Sequence, residues 1–130
     1  MLLCREKFRC KILVIDDESN MTNIIQKMLG MHGHNVETAA SGREGVAKFE
    51  NGCFDLVITD ICMPEINGNG VVQYIRDSDK KHIPVIAISG TSLCAEDNVF
   101  DTIIEKPFSL KTLINSVHKL LPLNHDMATA

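Results

Sequence analysis

The sequence predicts an α/β fold: a doubly wound, five-stranded parallel sheet with helices on both faces. Three observations lead there. Short continuous apolar runs, of the kind that fill strands covered on both sides, recur as KILVID (residues 11–16), FDLVIT (54–59) and VIAIS (85–89). The segments between them carry apolar residues at helical spacing. Strands that alternate with helices favour parallel pairing through right-handed crossovers. At 130 residues with 45% apolar content, the chain suits one domain with a closed core.

Taken in order, residues 11–16 form the first strand. A helix follows from Ser19 to Met31, with Met21, Ile24, Ile25, Met28 and Leu29 on its apolar stripe, and Gly30 and Gly33 mark its exit. NVETAA (35–40) reads as the second strand. Ser41 is an N-cap for a helix running through Phe49, and Asn51 and Gly52 stop it. The third strand is FDLVIT. A loop leads to a helix over residues 70–76 with Val71, Val72 and Ile75 inward. Pro84 introduces the fourth strand, DTIIEK (101–106) supplies the fifth, and residues 110–121 form the last helix before Pro122. The domain is expected to span residues 10–121, with an N-terminal extension over 1–9 and a flexible tail over 122–130.

Charge and composition narrow the function. A net charge of −4, from 17 acidic residues against 13 basic ones, lacks the basic face that nucleic acid or an anionic membrane surface requires. No apolar run approaches the ~20 residues that span a bilayer. The N-terminus MLLCREKFRC turns basic too early for a signal peptide, so a cytoplasmic protein is expected. The five cysteines (Cys4, Cys10, Cys53, Cys62, Cys94) follow neither a disulfide nor a zinc pattern and read as buried or partly buried reduced thiols. His32 and His34 flank Gly33 and read as solvated loop residues.

The chemistry concentrates at strand ends, where open α/β sheets gather their ligands. The first strand ends in Asp16 and Asp17, followed by Glu18; the third ends in Asp60, the fourth in Ser89, the fifth in Lys106. Carboxylates packed together repel one another unless a cation intervenes, and oxygen ligands with room for water suit Mg2+ better than zinc. A lysine and a hydroxyl beside them could balance a phosphoryl group in flight. An aspartate can itself be the nucleophile and form an acyl phosphate; Asp60, alone at a central strand end, is the best placed.

The motifs ILVIDDE, DLVITDICMPEINGNG, VIAISG and EKPF, in this order and approximate spacing, resemble the receiver domain of two-component response regulators over roughly residues 10–121. The resemblance implies a flavodoxin-like sheet in strand order 2-1-3-4-5. It implies that Asp60 is the phosphoacceptor, Ser89 the switch hydroxyl and Lys106 the lysine that pairs with the phosphoryl group. Asp16, Asp17, Asp60 and the backbone carbonyl of Cys62 would hold Mg2+ or Mn2+. The Lys106–Pro107 peptide would be cis, and the Cys62 side chain, at the rim of the site, would tune the lifetime of the acyl phosphate. The phosphodonor would be a sensor histidine kinase or a histidine phosphotransfer protein. The protein would be a monomer or weak homodimer that self-catalyses its phosphorylation and dephosphorylation. With no output domain after Leu121, it would act by docking to a downstream effector protein, without nucleic acid or membrane.

The chain also departs from the pattern. Ile103 stands where the family carries an aromatic residue, and the segment between Ser89 and Lys106 is several residues short. The fourth helix, between the fourth and fifth strands, is therefore expected to be shortened or irregular, and Phe100 is a candidate replacement aromatic. Two alternatives stay open: a degenerate receiver that binds its partner without phosphorylation, and an aspartate-nucleophile phosphatase of the haloacid dehalogenase type. The second would need an acid where Cys62 stands.

Overall fold

The computed structural model describes residues 10–90 and 99–121. Among them run β1 (Lys11–Ile15), α1 (Ser19–Met31), β2 (Asn35–Ala39), α2 (Gly42–Asn51), β3 (Leu56–Asp60), α3 (Gly68–Arg76), β4 (Val85–Ser89), β5 (Thr102–Glu105) and α4 (Leu110–Leu120). All neighbouring strands are parallel, in the order β2-β1-β3-β4-β5. The predicted sheet and its order are therefore present. The expectation of a shortened helix between β4 and β5 falls largely on residues 91–98, which lie outside the described residues.

The alternation of side chains along each strand separates two apolar layers. Ile12, Val14, Ile58, Ile86, Ile88 and Ile104 face Ile25 and Leu29 of α1 and Leu113 and Val117 of α4. Leu13, Ile15, Val57 and Ala87 face the other way, onto Phe49 of α2 and Val71, Val72 and Ile75 of α3. Every residue of β3 and β4 is buried, which accounts for the unbroken apolar runs seen in the sequence. Phe100 is buried in the second layer, and Ile103 packs against it.

Side chains at the helix starts fix most boundaries. The Ser41 hydroxyl accepts from Glu44 N–H (3.1 Å) while Glu44 reaches back to Ala40 N–H (2.9 Å), so each satisfies an otherwise orphaned donor. Asn67 caps α3 by accepting from Gly70 N–H, which starts the helix two residues before its expected beginning at residue 70. Ser109 does the same for α4 through Thr112 N–H. The third strand begins at Leu56, later than expected, although Asp55 already ties it to β1: its carboxylate accepts from Lys11 N–H (2.8 Å) and its own N–H donates to the Lys11 carbonyl (2.7 Å).

Closure of the short path into β5 depends on one side chain. The Arg76 guanidinium, at the end of α3, donates to the carbonyls of Val99, Lys81 and Ile83 and pairs with Asp101 at 2.9 Å. Asp101 in turn accepts from Val85 N–H (2.8 Å), so the clamp joins the starts of β4 and β5. Arg76→Ala would leave partly buried carbonyls and a carboxylate without their donor. Hydrogen bonds to charged groups contribute about 1.5–3 kcal/mol each but share a common loss here, so we expect a destabilisation of about 2–3 kcal/mol in urea unfolding. A change below about 0.5 kcal/mol would show that the clamp is incidental.

Candidate phosphoacceptor and cation site

Register brings the chemistry together. Ile15 pairs with Thr59 across β1 and β3, so Asp16 and Asp60 emerge side by side from adjoining strands. Asp60 pairs with Ile88, and Ser89 follows at the end of β4. Lys106 N–H donates to the Ser89 carbonyl (2.8 Å), which holds the residue after β5 at the same edge. The structure thus gathers Asp16, Asp17, Asp60, Ser89 and Lys106 as the sequence predicted. The Lys106–Pro107 peptide is cis, also as expected.

The three carboxylates each offer an oxygen within 4.8 Å of the others, with Asp16 and Asp60 buried and Asp17 exposed. Asp16 uses Oδ1 to accept from Glu18 N–H (2.9 Å), whereas its Oδ2 is buried with no hydrogen-bond partner among the described residues. Such an atom is costly unless something positive meets it. A hard divalent cation bound by Asp16, Asp17 and Asp60 fits both the oxygen donor set and the orphaned atom. Asp60 Oδ1 accepts from Ile61 N–H (2.9 Å) and lies 3.6 Å from Lys106 Nζ. Lys106 also lies 3.6 Å from Glu18, whose carboxylate is exposed.

Burial raises the Asp16 pKa to about 6, with the charge of Asp60 adding to it and the Glu18 N–H and Lys106 opposing it. Burial likewise raises Asp60, against the opposing pull of Lys106 and Ile61 N–H. Burial alone would lower Lys106, but the surrounding carboxylates of Asp60, Asp16 and Glu18 outweigh it and hold the ammonium form. The edge therefore carries more negative charge than its one lysine can neutralise.

Gly68 explains the turn after Asp60. A Cβ there would sit 2.5 Å from the Asp60 carbonyl oxygen and 2.9 Å from the Ile61 Cα, while Gly68 N–H donates to the Ile61 carbonyl (2.9 Å). Only glycine lets the start of α3 come this close to the chain that carries the acid. Cys62, two residues after Asp60, is exposed at the rim. Cys53 is exposed as well, contrary to the expectation of buried thiols, because it lies in the turn after α2 rather than in a strand; Cys10 is buried as expected. Cys4 and Cys94 lie outside the described residues.

His34 also departs from expectation. It is buried rather than solvated, because its ring lies against His118 of α4 (Nε2 to Nε2, 3.1 Å). The partners are 84 positions apart, and no local signal marks the pairing.

Comparison with known proteins agrees with this geometry. Residues 12–118 match the response regulator receiver domain family. The chain is 36% identical over 121 residues to a probable transcriptional regulator, ycf27, of Cyanidium caldarium, and 30% identical over 116 residues to the response regulator SaeR of Staphylococcus aureus. Each alignment covers 85% of this chain, against 45% and 50% of those proteins, so the chain spans about half the length of these curated relatives. Among solved structures, the response regulator TrrA of Thermotoga maritima in complex with Mg2+-BeF superposes with a TM-score of 0.79 at 36% identity, covering 86% of this chain and 99% of that one. The chemotaxis response regulator CheY4 of Vibrio cholerae gives 0.81 at 28% identity, with 87% and 99% covered. The fold and the acidic edge define a phosphoacceptor class of α/β domain. The chain belongs to the response regulator receiver domain family of two-component systems.

The raised pKa of Asp16 has a measurable consequence without any cation. A carboxyl whose folded pKa lies near 6 and whose unfolded pKa lies near ~3.9 favours the folded state fully below pH ~4 and loses that benefit as pH rises through 6. At pH 7.5 in chelator, Asp16→Asn should therefore be more stable than the parent by roughly 2–3 kcal/mol, and the gap should close by pH 4. His34 is held below the usual histidine range by burial and works in the opposite direction, but it is common to both proteins and cancels in the difference. Equal stability of the two proteins at both pH values would contradict the burial penalty and the added repulsion from Asp60.

Proposed function

We propose that this receiver accepts a phosphoryl group on Asp60 from a phosphohistidine, carried by a sensor histidine kinase or a histidine phosphotransfer protein, and passes the signal on by docking to an effector protein. The observation that carries the reading is the placement of a buried aspartate between a lysine at 3.6 Å and two further carboxylates. Receiver domains bind Mg2+, and here Asp16, Asp17 and Asp60, with the Cys62 backbone carbonyl as an additional ligand, would hold Mg2+ or Mn2+. When bound, the cation supplies positive charge that offsets the carboxylates and the phosphoryl oxygens.

The chain's own residues do the rest. A carboxylate oxygen of Asp60 attacks the phosphorus; the P–N bond to the donor imidazole breaks as the acyl phosphate P–O bond forms, and the imidazole, protonated on its other ring nitrogen, takes the P–N electron pair and leaves neutral. Lys106, already beside Asp60, pairs with the new dianionic group and so exchanges a carboxylate for a more highly charged partner. Ser89 at the end of β4 would donate its hydroxyl to a phosphoryl oxygen, and this movement would report the modified state to the surface. We read the protein as a self-modifying switch without turnover of an external substrate. The Cys62 side chain at the rim is placed to influence how readily water reaches the acyl phosphate. Among the described residues, no helix is long and apolar enough to cross a membrane, and we place the switch in the cytoplasm with its phosphodonor.

Incubation with acetyl phosphate and Mg2+ should add one phosphoryl group per chain by intact mass, stable in acid and labile in base, and chelator should prevent it. Asp60→Asn should remain unmodified. An unmodified parent, or a variant modified as fully as the parent, would contradict the assignment.

A further inference from the structure

The opposite edge of the sheet, where the strands begin, holds a second cluster that the phosphoryl chemistry does not use. Three imidazoles meet there from three parts of the chain: His32 at the end of α1, His34 before β2, and His118 in the last turn of α4. His34 Nε2 and His118 Nε2 are 3.1 Å apart. The rings of His32 and His34 lie 5.3 Å and 5.2 Å, respectively, from that of His118, the first edge-on. The cluster adjoins a cleft of about 580 Å³ lined by Cys10, His34 and Asp55 among others.

We propose that His34 and His118, joined by His32, form a binding site for a divalent ion that prefers imidazole, of the Zn2+, Ni2+ or Cu2+ class. Two nitrogens each 2.0–2.1 Å from a tetrahedral ion stand about 3.3 Å apart, close to the separation present here. Imidazole nitrogen does not attract Mg2+, so the two edges of the sheet select different metals by ligand chemistry. His34 is held below the usual histidine range by burial and then by His118 and His32, and His118 by burial and then by His32, which favours the neutral ring that ligates. His32 is exposed, and its ring already lies edge-on against that of His118.

The resting hydrogen bonds state what binding must change. Cys10 N–H donates to His34 Nδ1 over a long 3.4 Å, which places the His34 proton on Nε2 and makes His118 Nε2 the acceptor. The cation takes the place of that proton between the two Nε2 atoms. His34 then carries its proton on Nδ1 instead, the Cys10 contact is given up, and the pair releases no net proton. The bound ion would tie the end of α1 and the start of β2 to the last turn of α4.

The test is a Zn2+ titration of the full untagged chain in saturating Mg2+, followed by imidazole 1H–15N correlation spectra. The Mg2+ competes for the carboxylate edge, and the imidazole signals separate this site from any binding at the exposed thiols. We expect a saturable 1:1 response in which His34 and His118 Nε2 shift together and His34 moves from the Nε2–H to the Nδ1–H tautomer, while His82 stays unmoved. His118→Gln should weaken the response at least roughly tenfold, since even the supporting partners of a metal ligand cost about ten- to hundredfold. His32→Gln, at an exposed position with no folding risk, should weaken it by a smaller factor. Unmoved His34 and His118 resonances, or unchanged affinity in His118→Gln, would overturn the site and leave a hydrogen-bonded pair only. Unchanged affinity in His32→Gln would remove His32 from it.

Discussion

Three carboxylates held within 4.8 Å of one another, two of them buried, are the constraint around which the rest of the molecule is organised. Repulsion at this distance in a partly desolvated setting is expensive, and one lysine offsets only part of it. The fold sustains the arrangement because the acids sit on the ends of buried strands whose positions are over-determined by packing elsewhere. The orphaned Asp16 Oδ2 and the upward shift of Asp16 are two expressions of the same imbalance. An edge left short of positive charge is prepared for a cation.

Several features that look unrelated serve that edge. Gly68 lets α3 start against the backbone that carries Asp60. The hydrogen bond from Lys106 N–H to the Ser89 carbonyl anchors the lysine to the end of β4. Two apolar layers, one on each face of the sheet, fix the register that sets Asp16 beside Asp60. A one-residue slip of β1 against β3 would turn every side chain of that strand to the wrong face, so the core and the site are specified together.

Much of this was legible in the sequence, for identifiable reasons. Strands buried on both faces leave unbroken apolar runs, and acids that close such runs stand out against them, which is how Asp16, Asp17 and Asp60 were found. Ser41 announced its helix because capping is a local interaction. What escaped depends on contacts between distant residues. Arg76 carries no local mark of its role, which appears only when Val99 and Asp101 come round to meet it. His34 reads as a loop residue until the last helix sets His118 against it. Asn67 shifted a helix boundary through a side-chain capping bond that apolar periodicity does not register.

The central claim is that the acidic edge is built for a divalent cation, and calorimetric titration with Mg2+ tests it most directly. The account predicts one site per chain, with affinity reduced at least roughly tenfold in Asp17→Asn, an exposed substitution that removes a ligand without disturbing the core. Absence of saturable Mg2+ binding in the parent protein, or equal affinity in the two proteins, would contradict it.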